Sequence, residues 1–158
     1  MATLLQGIAI AAIVGGGLVT GLLYAFSLVT MRALLEQPAE AGMSTMQSIN
    51  RLIIRPLFLL PFLGTAVLCL LLLIGALWQG GAGAIAWCAG ALAYLIGPLG
   101  VTMACNVPLN DRLARTDLRE APVLWPRYVR DWLRWNHVRS ALGAVSLALL
   151  ALGLALKA

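Results

Sequence analysis

Long apolar runs separated by polar connections are the main pattern in this sequence. A helix needs about 20 mostly apolar residues to cross the hydrocarbon core of a bilayer. Four stretches meet that condition, at residues 7–31, 53–78, 85–105 and 139–156. The pattern therefore predicts an all-α fold, an integral membrane four-helix bundle. Residues 1–158 are interpreted as a single membrane domain.

The connection between the third and fourth runs, residues 106–138, has a helical pattern of its own. Pro108 disfavours helical geometry at Val107 and is predicted to end the third span there. After the two prolines of "APVLWPRY", Tyr128, Trp132, Trp135 and Arg139 fall on one stripe at helical spacing. We therefore expect a helical loop whose last part leads directly into the fourth span.

Composition supports a membrane protein and excludes an ordinary soluble domain. The chain is 61% hydrophobic and 11% charged, with a mean hydropathy of +0.92. The first run has no Lys or Arg before it and is too long for a signal peptide, so we interpret it as a retained helix.

The distribution of arginines predicts the orientation in the membrane. Most basic residues lie between the first and second spans or between the third and fourth, whereas the opposite face carries only Lys157 and the N-terminal amine. The positive-inside rule then puts both termini outside and residues 106–138 in the cytoplasm, for a multi-pass protein of the cell inner (plasma) membrane. Because the arginines adjoin the spans, we expect anionic lipid headgroups as their partners and no nucleic acid.

The residues that commonly bind metals are few. Cys69, Cys88 and Cys105 lie inside spans without a C-x-x-C spacing, and the chain has one His and only six carboxylates. We predict no metal site. Haem held by one axial His remains the alternative.

Polar residues cluster near the predicted cytoplasmic ends of three spans. Such groups are costly in a bilayer unless they face a bundle interior or a cavity, so the cluster predicts a shared pocket. Its predicted members are Asn50, Arg55, Thr102, Asn106, Asn110, Trp132, Trp135, Asn136 and Arg139, with Tyr24 as the floor. Separately, Gly17 and Gly21 form a small-xxx-small pair that offers a face for helix packing or a homo-oligomer.

Several of these motifs resemble one known family. The segments "GLLYAFS", "MQSINRLIIRPLF", "TMACNVPLNDRL" and "WPRYVRDWLRWNHVRS" are similar to those of the DUF1772, or anthrone oxygenase-like, family of small four-helix membrane proteins. Asn106, Pro108 and Asn110 match its Asn-x-Pro-x-Asn element, and Asn50 matches the Asn after its Met-Gln pair. Its tryptophan-rich element is matched by Trp132, Trp135, Asn136, His137 and Arg139.

The resemblance implies a membrane oxygenase that oxidises anthrones or another planar hydrophobic phenol with O₂, without a cofactor. An enzyme of this kind, an anthrone oxygenase-like monooxygenase, is one hypothesis. The alternative is a non-catalytic membrane module that binds a small lipophilic ligand, haem or a partner protein, because one family hosts many functions.

Cofactor-free oxygenation requires a base and groups that stabilise an enolate. His137 is the default base, and Arg139, Asn106 and Asn136 are candidate donors to the enolate oxygen. Trp132 and Trp135 are expected to stack on a small lipophilic aromatic ligand. On a regular helix, however, His137 and Arg139 point about 160° apart. Either the helix breaks there, or the base is another group such as Tyr24, or His137 only packs against its neighbours or meets water.

Overall fold

The computed structural model describes residues 2–156, and every regular element in that range is helical. The helices are α1 (Ala2–Ala25), α2 (Met31–Leu35), α3 (Ala39–Leu52), α4 (Pro56–Gln79), α5 (Ala84–Tyr94), α6 (Val107–Ala114) and α7 (Ala121–Ala155). Two π-helical segments, π1 (Phe26–Thr30) and π2 (Leu95–Asn106), and a 3₁₀ turn (Leu118–Glu120) lie between them. The prediction of an all-α fold is confirmed. Lys157, which entered the charge pattern, lies outside the described residues.

Four continuous helical stretches in this range are long and apolar enough to cross a membrane. They are Thr3–Leu35, Pro56–Gln79, Ala84–Ala114 and Leu118–Ala155. This confirms a membrane protein built on four apolar helices. Three of the stretches are longer than the predicted apolar runs, because the neighbouring, more polar segments are also helical.

The four long helices pack in chain order around the bundle, each against the next and α7 against α1. Neighbours are antiparallel: Gly15 approaches Thr65 and Gly75 approaches Leu5 between α1 and α4, while Gly90 meets Leu150 between α5 and α7. The turn from α4 to α5 uses Gly80 and Gly81 with φ of 62° and 86°, a region that favours glycine. The result is an up-down-up-down bundle.

A second layer covers one end of the bundle, and we call it the cap. It consists of α2, α3, α6 and residues 121–132 of α7. Its apolar core includes Met31, Met43, Met46, Trp125 and Trp132, all fully or almost fully buried. Separate cores fill the bundle itself, one of them around Trp87 and Tyr94. The predicted helical loop between the third and fourth spans is thus part of a packed cap.

The predicted end of the third span at Val107 is wrong. The helix continues from π2 through Val107 into α6, and the Val107 N–H donates to the Thr102 carbonyl, five residues back. Pro108, which has no N–H, lies in the first turn of α6, where a proline is tolerated. Val107 itself has α-helical torsion angles, φ −60° and ψ −48°, so the preference of a residue before proline for extended geometry, on which the prediction relied, does not hold here.

The predicted close-packing role of Gly17 and Gly21 is not seen within the chain. A Cβ built on either glycine meets no atom within 4 Å. The close contacts fall instead at Gly15, against Thr65, and at Gly16, against Leu147 and Tyr94. Since α4 and α7 pack on the Gly15 and Gly16 side of α1, the Gly17 and Gly21 face points outward, and its use in a homo-oligomer stays a prediction.

Gly90→Ala should destabilise the bundle, because the new Cβ would lie 3.0 Å from the backbone nitrogen of Leu150. We expect a loss of about 1–3 kcal/mol, the usual range for overpacking a close contact. The matched control is Gly17→Ala, which has open space and should leave stability unchanged or slightly higher. Thermal unfolding in detergent micelles measures both. Equal melting temperatures for the two variants would contradict this packing.

Candidate functional site

A cavity of about 550 Å³ lies where the cap meets the bundle. Its walls come from α1 and π1, α3, the α3–α4 break, α4, π2, α6 and α7, and most of them are apolar. The polar and charged side chains on its surface are Gln47, Asn50, Arg51, Thr102, Asn110, Asp111 and Arg139. A large apolar cavity with a few converging polar groups is the usual form of a small-molecule site.

The rim of the cavity includes apolar side chains that are also exposed on the outside of the protein. Leu63 and Met103, which belong to membrane-spanning stretches, and Ile54 in the α3–α4 break are each about half exposed or more. In a membrane-embedded chain, Leu63 and Met103 face hydrocarbon. The cavity is therefore open on a side that a lipophilic molecule reaches from the bilayer.

Arg139 is the buried positive charge of the cavity and is only 6% exposed, whereas Arg51, the other arginine of its lining, is exposed. Its Nε and Nη2 donate to Asn136 Oδ1 at 2.9 and 2.7 Å, and its Nη1 donates to Thr102 Oγ1 at 2.8 Å. All of these acceptors are neutral, and the one ion pair in the described part of the chain joins Arg130 to Asp131. Three of the five guanidinium N–H groups are engaged, which leaves two, and a buried charge without a counter-ion is costly.

Trp132 forms the side of the cavity next to this charge. Its ring centroid lies 5.0 Å from the Arg139 Cζ, in cation–π contact. The indole Nε1 donates to Asn110 Oδ1 at 3.0 Å, and the Tyr128 hydroxyl donates to the same oxygen at 2.9 Å. Asn110 therefore fixes the orientation of the indole, and through it the aromatic surface beside the guanidinium.

Asn136 links α7 to π1 beneath the guanidinium. It is fully buried, and its Nδ2 donates to the Leu23 carbonyl at 2.8 Å and to Ser27 Oγ at 2.7 Å. His137 Nδ1 lies 3.0 Å from the same Ser27 Oγ. The helix does not break between Asn136 and Arg139, yet His137 joins the network through Ser27. The sequence pattern did not indicate Ser27, because only its contacts with Asn136 and His137 in the folded chain mark it as part of this network.

Asn106 and Asn50 occupy different environments. Asn106 is fully buried outside the cavity lining, and its Nδ2 donates to the Trp132 carbonyl at 3.2 Å, so it ties π2 to α7. Asn50 lines the cavity, and its buried Nδ2 has no hydrogen-bond partner. A buried donor without a partner carries a desolvation cost, which an acceptor on a bound ligand would remove.

Six residues of the predicted pocket or base do not line the cavity: Asn106 and Asn136 are buried outside its lining, and four others are exposed. Tyr24 is 56% exposed, because α1 and π1 turn Leu22, Leu23 and Phe26 towards the cavity instead. Trp135 is 42% exposed, three residues and about 60° around α7 from Trp132. Arg55 is exposed where the backbone becomes extended just before α4, and His137 is exposed on the α1 side of α7. The structure thus brings together Asn50, Thr102, Asn110, Trp132 and Arg139 on the cavity surface.

Three polar lining residues were not predicted from the sequence, namely Gln47, Arg51 and Asp111. Gln47 donates through Nε2 to the carbonyls of Leu113 and Thr116, which joins α3 to the end of α6. Asp111 lines the cavity directly after Asn110. In the "NVPLND" segment, Asp111 comes four residues after Val107 and would lie on the same face of a continuous helix. Because the helix was expected to end at Val107, the sequence did not predict this position for Asp111.

The residues at the cavity do not fit a haem. His137, the single histidine, lies outside the cavity lining and its Nδ1 faces Ser27. Within residues 2–156, no three His, Cys, Asp or Glu side chains come together as a metal-binding group. Cys69, Cys88 and Cys105 are free thiols.

Comparison with known proteins identifies one family. The family model described as anthrone oxygenase matches residues 57–149, more than half of the chain. The matched range contains Thr102, Asn110, Trp132, Asn136 and Arg139, whereas Asn50 and Ser27 precede it. No curated protein and no solved structure matches the chain.

Asn110→Ala should destabilise the protein, because it removes the acceptor of both the Tyr128 hydroxyl and the Trp132 indole. Each buried donor left without a partner costs about 1–3 kcal/mol. Asn110→Asp keeps an acceptor oxygen at this position and should retain most of the stability. Thermal unfolding followed by tryptophan fluorescence compares the two. If both variants lose the same amount, these hydrogen bonds do not hold the indole in place.

Proposed function

The chain belongs to the anthrone oxygenase family, and on that premise we propose that it oxidises an anthrone-like or other planar, lipophilic phenol with O₂ in the cavity. The observation that supports this most is the buried Arg139 guanidinium, which has no counter-ion and two free N–H groups at the wall of a large apolar cavity. An apolar ring system that becomes anionic at one oxygen complements both features.

The reaction creates that anion. Removal of a proton from the substrate CH₂ leaves an enolate, whose oxygen charge Arg139 stabilises more strongly than the neutral carbonyl oxygen of the substrate. The enolate gives one electron to O₂, the resulting radicals combine to a C–O bond, and protonation gives a hydroperoxide. Loss of water from the hydroperoxide leaves C=O, so that CH₂ and O₂ become C=O and H₂O.

We propose that this chemistry uses no resident cofactor. The enolate itself is the electron donor to O₂, and the cavity surface offers no imidazole for a haem. Trp132 would contribute an apolar aromatic surface for the rings, and Asn50 Nδ2 a donor for a second substrate oxygen. Thr102 and Asn136 would hold the guanidinium in position.

Ligand binding without turnover is the second candidate. The observation in its favour is that His137, the expected base, does not line the cavity. A protein that only carries or presents a lipophilic phenolate needs the cation and the apolar cavity but no base. The two candidates differ in whether O₂ is consumed.

We further propose that the protein lies in the inner (plasma) membrane as four spans, with both termini outside and the cap in the cytoplasm. The arginines support this orientation, because Arg51, Arg112, Arg115, Arg119, Arg127, Arg130 and Arg134 all belong to elements of the cap or its margins. Positive charge concentrated at one end of a bundle favours the cytoplasmic side.

Purified protein supplied with anthrone should consume one O₂ for each anthraquinone formed, with no Soret band in its absorption spectrum. Arg139→Ala should lower kcat by about 100-fold or more, as the loss of an oxyanion-stabilising donor does. Arg130→Ala, exposed and paired with Asp131, should change neither binding nor rate. Anthrone binding without oxygen uptake by the unmodified protein would favour the binding module.

A reporter that is active only outside the cytoplasm should be active when fused after Lys157 and inactive when inserted after Thr116, in the turn between α6 and α7. The positive-inside rule is the physical reason for this orientation. Activity measured in cells expressing each fusion tests it. The opposite pair of results would invert the topology and leave the site proposal untouched.

A further inference from the structure

The proposed oxygenation needs a base at the reacting carbon, and the residues that the sequence predicts for this role lie elsewhere. His137 and Tyr24 are outside the cavity lining. Among the described residues that line the cavity, Asp111 is the only carboxylate, and the other polar groups are amides, a hydroxyl and two guanidinium groups. A general base must reach the proton that it removes, so geometry selects Asp111 before its acidity is considered.

Asp111 lines the cavity from the same long helix as Thr102, the residue that accepts a hydrogen bond from Arg139. Val107, Asn110, Asp111 and Ala114 line the cavity at spacings of three and four residues, which is one face of α6. The same continuous helix contributes Thr102, whose hydroxyl accepts from Arg139. The third membrane-spanning helix therefore carries both Asp111 and the threonine that accepts from the Arg139 guanidinium of α7.

The surroundings of Asp111 leave its carboxylate available. Asp111 is an exposed residue that also lines the cavity, so a proton can pass from its carboxylate to water. Arg51 of α3 lines the same cavity, but its Nη2 donates to Ser48 Oγ at 2.9 Å. The one ion pair of the described chain, between Arg130 and Asp131, does not involve Asp111.

We infer that Asp111 is the general base of the oxygenation and that it acts on a substrate whose oxygen is bound by Arg139 in the same cavity, an inference that rests on the proposed function. The Asp111 carboxylate takes a proton from the substrate CH₂, and the C–H electron pair becomes the enolate whose oxygen faces Arg139. After O₂ has accepted one electron and bonded to carbon, Asp111 returns the proton to the peroxide. It then takes the second C–H proton as the O–O bond breaks, and that proton leaves with hydroxide as water.

Asp111→Asn removes the base while keeping the size of the side chain. With anthrone as substrate we expect kcat to fall by about 100-fold or more, the usual contribution of a general base. Anthrone binding, measured by quenching of tryptophan fluorescence, should change by less than about threefold, because Arg139 and Trp132 are intact. Asp131→Asn is the matched control, since Asp131 is a cap carboxylate that does not line this cavity, and it should keep the unmodified rate.

Recovery of activity at high pH distinguishes a general base from a residue that only lines the cavity. At a pH high enough to ionise anthrone in water, the substrate arrives as its anion and the Asp111→Asn variant should recover to within about tenfold of the unmodified protein. Replacing the substrate CH₂ by CD₂ should slow the variant more than the unmodified protein at neutral pH. An unchanged rate in Asp111→Asn, or a loss that persists in alkali, would overturn the role of Asp111 alone. Absence of oxygen uptake by the unmodified protein would overturn the proposed function and this inference together.

Discussion

Burying the guanidinium of Arg139 is the constraint on which the arrangement of this end of the bundle depends. A cation in a membrane-spanning helix must be surrounded by acceptors, and here every acceptor is neutral. Asn136 can accept from the guanidinium only because its own amide is tied to Leu23 and Ser27 of the first long helix. Thr102 comes from the third. One charge thus requires three helices to meet at a fixed depth.

The two π-helical segments are found where this meeting occurs. Ser27 belongs to π1, and Thr102 and Asn106 belong to π2. A π turn inserts extra residues and changes the direction of the side chains that follow, which is one reason π-helical turns are frequent at functional sites. In this protein, the third span continues from π2 past Pro108 into α6, so that Asn110 and Asp111 line the same cavity as Thr102.

The cap gives the cavity two chemically different ends. Towards the bundle lie the unpaired guanidinium and the indole of Trp132, surrounded by apolar side chains. Towards the cap lie Asp111, Arg51 and Gln47, which belong to the cap helices α3 and α6. A ligand that is apolar over most of its area and carries one ionisable oxygen is favoured by such a gradient, because apolar burial and charge stabilisation act on different parts of it. The gradient depends on the cap staying packed on the bundle through its methionine and tryptophan core.

The sequence by itself determined the four apolar helices, the helical segment before the last of them and the convergence of Asn50, Thr102, Asn110, Trp132 and Arg139. These follow from composition and from periodicity along single helices, where the cost of polar groups in hydrocarbon leaves few alternatives. Only the tertiary structure decided that Tyr24, Arg55, Trp135 and His137 lie off the cavity, that Ser27 anchors Asn136, and that Asp111 lines the wall. Those positions depend on which face of each helix meets its neighbours and on the two π segments. Neither can be read from the sequence, because a helical wheel assumes a constant twist of about 100° per residue and contains no information about the partner helix.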